Sequence, residues 1–139
     1  MGNKDYDKVK HLEFIQTTIN RMAVNSFIIK GWSVTLISGI IVLSLTKSAI
    51  NYIYLALLPA LIFWGLDAYY LWQEKLFREL YNFVRKNKAS KIDSFSMSTK
   101  PFIKKTDNWF HILFSVNILT LHLTLIIIIV FISIFLGGK

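Results

Sequence analysis

The chain has no cysteine, which excludes disulfides, iron–sulfur clusters and thiolate zinc sites. Its three histidines, His11, His111 and His122, lack the spacing of a metal-ligand set. There is no glycine-rich phosphate loop, no Ser–His–Asp order and no carboxylate pair in a polar setting, so an enzyme is not expected. No internal repeat is visible. Acidic residues are scarce, at eight against sixteen basic ones, and the net charge is +8.

Apolar residues are what the chain has in excess. They make up 54% of it, aromatics 15%, and the mean hydropathy is +0.48. About 20 apolar residues at 1.5 Å each cross the roughly 30 Å hydrocarbon layer. Three runs meet that length: 27–45, 50–72 and 109–136. The expected fold is an all-α membrane protein, a single membrane domain over 1–139 whose three transmembrane helices carry N-terminal and mid-chain cytoplasmic helical extensions. A charged, helical-looking segment precedes the first run and no small-residue cleavage pattern follows it, so that run reads as a retained helix.

Basic residues set the orientation. Residues 1–30 hold Lys4, Lys8, Lys10, Arg21 and Lys30, and the 73–108 segment is richer still. The link "TKSA" holds only Lys47, and the C-terminal tail only Lys139. Positive-inside logic places the N-terminus and 73–108 in the cytoplasm of a bacterial inner membrane, with the C-terminus outside.

Residues 7–26 read as a cytoplasmic amphipathic helix with a narrow seam of Leu12, Ile15, Ile19 and Met22. The second span contains Pro59, which predicts a mid-membrane kink. That span runs on as a helix to about residue 87, with Leu76, Leu80, Phe83 and Val84 on an apolar side. The N-terminal seam is its natural partner. Residues 88–108 read as a flexible loop, and Asp107 as the N-cap of the third span.

Because "TKSA" is so short, the first two spans form a hairpin. Counting from it, Lys30 and Asp67 both lie about 24–27 Å from the outer turn. An ion pair between them lowers the cost of either charge in lipid. The competing reading is that Lys30 snorkels to the headgroups and Asp67 is hydrated there. A second pair, Arg21 with Glu74, conflicts with the first in a straight helix, since Arg21 and Lys30 fall on opposite faces. It requires a break near Gly31 or a neighbouring subunit. In the third span, Asn117, Thr120 and Thr124 make one polar stripe, expected to line a helix interface or a pore. His111, Ser115, His122 and Ser133 make another.

The segments "RMAVNSFIIKGWSVTLISGI" and "LALLPALIFWGLDAYYLWQEKLFRELYNFVR" resemble small bacterial membrane proteins encoded beside antiphage defence genes, specifically the channel effectors of Hailong-type systems. The resemblance covers about residues 21–85. It implies a nucleotidyltransferase-like partner whose nucleic-acid-like product controls the membrane protein. The expected function is therefore a homo-oligomeric channel or pore, with a tetramer as the working number, gated from the cytoplasm and needing no cofactor. Arg21, Lys30, Lys75, Arg78 and Arg85 are the expected contacts for an anionic nucleotide or oligonucleotide. For Lys75, Arg78 and Arg85 the competing reading is a solvated face beside anionic lipid. A non-conducting anchor or regulatory subunit that recruits a cytosolic partner is the alternative function.

Overall fold

The computed structural model describes residues 3–46, 50–87 and 95–137. The first element, α1, is one unbroken helix from Asn3 to Thr46, 44 residues long and so roughly 66 Å from end to end. The amphipathic segment and the first span are thus a single rod. No proline interrupts it, and Gly31 does not break it. One glycine costs a helix only about 1 kcal/mol, and a Cβ at Gly31 would meet nothing within 4 Å.

The link residues Lys47–Ala49 lie outside the described residues. The chain resumes in a 3-10 segment, Ile50–Ala56, and continues as α2, Leu57–Lys86. Pro59, expected to kink the second span mid-membrane, does not interrupt α2. Pro59 sits in the first turn of α2, where N–H groups have no intrahelical acceptor and a missing one costs little. The change from 3-10 to α geometry comes just before it.

Beyond residues 88–94, which lie outside the described residues, the chain forms a strap over 95–108. The expectation of a loose loop is corrected for this part. A short 3-10 turn, Lys100–Phe102, buries Phe102, and the Ser96 carbonyl lies 2.9 Å from His11 Nε2.

The third run is two helices rather than one, α3 (Trp109–Leu113) and α4 (Val116–Gly137). Ser115 N–H closes back on the Ile112 carbonyl at 2.9 Å, while its own carbonyl accepts from Ile118 and Leu119. The break exposes the Leu113 carbonyl, which an unbroken helix would pair with the N–H of residue 117. Trp64 Nε1 donates to it instead, at 2.9 Å. Asp107 is not the cap either. Asn108 holds that position without a side-chain bond, because the Asp107 carboxylate is taken by Lys75 at 2.8 Å.

α1 and α2 pack along one another as an antiparallel hairpin, with α3 and α4 laid chiefly against α2. Three apolar clusters hold the stack. At the charged end, Leu12, Ile15 and Ile19 meet Leu76, Leu80, Val84 and Phe102. Near the other end, Ile37, Ile53, Ala56 and Ala60 meet Leu125 and Ile129. Between them, Ala68, Ile112 and Ile118 pack with Trp64 and Trp109. Large apolar side chains such as Phe27, Val116 and Ile134 face outward, more than 70% exposed. Together with three helices long and apolar enough to cross a bilayer, this is a multi-pass α-helical membrane protein architecture.

Candidate functional site

On α1, Ser26 and Lys30 are one turn apart and share a face with buried Ser33, Ile37 and Ser44. Small serines let a second helix approach closely. On α2, Asp67 and Ala68 are fully buried. On α4, Ile118, His122, Leu125, Ile129 and Ser133 are all buried, and their spacing of three or four residues makes one inward seam. The three seams meet at Asp67.

Every short contact there is polar. Asp67 Oδ1 accepts from Ser26 Oγ at 2.5 Å and from Lys30 Nζ at 2.6 Å. Lys30 Nζ also donates to Ser26 Oγ at 2.8 Å, which closes a triangle. The second oxygen, Oδ2, lies 3.1 Å from His122 Nε2. A carboxylate only accepts, so Nε2 carries the ring proton, and His122 Nδ1 is buried with no partner. The Lys30 side chain is 29% exposed whereas that of Asp67 is fully buried. One anion thus bonds to three helical side chains, and a single cation at the edge balances it.

The site reading from the sequence is redistributed. The structure brings Lys30 and Asp67 into direct contact. It does not gather the basic set into one cluster. Lys75 and Arg78 line a polar cleft of about 300 Å³ with Glu79, Asn82, Lys105 and Asp107. Lys75 is paired there with Asp107, and Arg78 with Glu74 at 2.7 Å. Arg21 and Arg85 are exposed and do not line that cleft. The Arg21–Glu74 pair does not form among the described residues, because α1 is unbroken and Glu74 already serves Arg78.

Beside the Lys75 ammonium, which donates a hydrogen bond and adds its charge, Asp107 is held below the usual carboxylate range. Of the two polar stripes on the third run, His122 and Ser133 point inward. Asn117, Thr120 and Thr124 are exposed on the outside of the molecule. Thr120 and Thr124 hydroxyls return to their own helix, at 2.6 Å from the carbonyls of Val116 and Thr120.

Ser26 and His122 were missed as partners of Asp67. Ser26 carries a legible signal, being one turn before Lys30 on the same face. His122 carries none that spacing alone reveals, since no short link sets its depth relative to Asp67. No protein-family model, curated protein or solved structure matches this chain.

Proposed function

We propose that the chain assembles as a homo-oligomeric channel or pore of the bacterial inner membrane, gated from the cytoplasm by an anionic nucleotide or oligonucleotide. The observation that carries this reading is the outward stripe Asn117, Thr120 and Thr124 on an apolar helix free of charge. The Thr120 and Thr124 hydroxyls are satisfied within their own helix, but an Asn117 amide facing outward at membrane depth calls for another helix or a hydrated path. Three spans enclose little space alone, so symmetry is needed to close a conduit.

Gating follows from differential binding. Arg21, Lys75, Arg78 and Arg85 present cations on the charged end of α1 and α2, and those helices continue unbroken to the Asp67 cluster. A polyanion that draws Lys75 from Asp107, or Arg78 from Glu74, favours a different hairpin arrangement. The role in antiphage defence and the nucleotidyltransferase-like partner rest on the resemblance of residues 21–85. No catalytic role is assigned to the chain.

The test is conductance of the purified protein in planar bilayers, with and without short oligonucleotides. Stepwise currents altered by Asn117→Leu support the proposal. Silence under every ligand and partner condition sinks it, and stoichiometric capture of a cytosolic protein would then favour the anchor.

A further inference from the structure

At the charged end, a cavity of about 240 Å³ lies between α1, α2 and the strap, walled by His11, Leu80, Phe83, Val84, Phe102 and Lys105. It is smaller than the roughly 300–1,000 Å³ of drug-sized sites, so its occupant is a single ring or a short branched group. Phe83 and Phe102 set their rings 5.7 Å apart at 57° along one wall.

Two polar residues, His11 and Lys105, are among those that line this apolar space. His11 is 2% exposed. Its Nε2 is 2.9 Å from the Ser96 carbonyl, which can only accept, so Nε2 carries the proton. Nδ1 is then a lone-pair acceptor, and it is buried without a partner. Lys105, also in the lining, has no ion pair among the described residues. The strap itself is held under strain. Phe95 takes a left-handed backbone, with φ of 65°, which bulky residues rarely adopt. That turn sets its ring 5.9 Å from both His11 and Phe14.

We propose that this cavity is a binding site for a small aromatic monocarboxylate bearing a hydroxyl or N–H on its ring. The ring lies against Phe83, Phe102 and Leu80. The acid group meets Lys105, and the ring donor meets the His11 lone pair. Two residues beyond Lys105 is Asp107, the partner of Lys75. Occupancy therefore acts on the tie between α2 and the chain leading into α3. The site does not depend on whether the protein conducts.

The experiment is calorimetric titration of the full chain in lipid nanodiscs with para-hydroxybenzoate, benzoate and para-hydroxybenzamide. Para-hydroxybenzoate should bind saturably. Benzoate, lacking the donor, should bind about three- to tenfold more weakly. The amide, lacking the charge, should lose about tenfold or more. Leu80→Trp should fill the cavity and abolish binding. Lys105→Gln, at an exposed position that leaves the packing alone, should make acid and amide equal. Absence of saturable binding to wild type overturns the proposal. So does equal binding of acid and amide by wild type, or a Lys105→Gln protein that still distinguishes them.

Discussion

Among the described residues, the one lysine or arginine paired with the buried Asp67 is Lys30, on the neighbouring helix. The two partners are not equivalent. The Lys30 side chain is 29% exposed and long enough to reach headgroups, whereas Asp67 is enclosed. Lys30→Met strands a buried carboxylate and is expected to destabilise the protein by roughly 3–5 kcal/mol. Asp67→Asn frees an ammonium that can reach water, and should cost less, about 1–3 kcal/mol. Reversible unfolding in mixed micelles measures both, and the opposite order would refute the asymmetry. Swapping the residues, Lys30→Asp with Asp67→Lys, should recover part of what each single change loses, because the pair keeps its depth. A double variant no better than the worse single one would contradict that.

At the scale of elements, the charged-end cap and the strap are held in different ways. The cap is apolar interdigitation of α1 with α2. Leu76 is 1% exposed within it, so Leu76→Ala should cost roughly 2–5 kcal/mol. It should also raise amide exchange in residues 8–20 before exchange rises in the spans. The strap shares that apolar cluster through Phe102 but is otherwise tied by an ion pair and single hydrogen bonds, and one tie is pH-dependent. Asp107 is held below its usual range by Lys75. Its contribution is therefore fully present above the ordinary carboxyl value of about 3.9. It is lost as pH falls through the lower value the folded protein imposes. Amide exchange over 102–110, corrected for intrinsic rates, should stay constant from about pH 7 to about pH 4 and rise only in stronger acid. Lys75→Met should remove that acid step. A step near neutrality would mean another group holds the strap.

At the scale of the whole molecule, the stripe Asn117, Thr120 and Thr124 decides between a working monomer and an assembly. The absence of native cysteine makes single-cysteine variants clean reporters. Thr120→Cys and Thr124→Cys should form disulfide dimers in native membranes under mild oxidation, whereas cysteine at Phe27, on another outward face, should not. Uniform cross-linking at all three positions, or none at any, would remove the support for a specific assembly through this face.

The amino-acid sequence by itself determined that three stretches are long and apolar enough to cross a membrane, that the first two form a hairpin, and that Lys30 lies level with Asp67. Each is set by local terms: the length of an apolar run against bilayer thickness, and a link too short to shift two helices relative to each other. The seam of Leu12, Ile15 and Ile19 was readable for the same reason, because helical spacing shows it within one segment. Only the tertiary structure decided what joins elements that no short link aligns. It placed His122 on Asp67, drew Asp107 to Lys75 and set Trp64 on the carbonyl where the third run breaks. It also moved Phe83 from an apolar face into a cavity wall. Those contacts depend on relative rotation and depth of separate helices, and helical periodicity does not encode them, since packing energy is defined only once the partners meet.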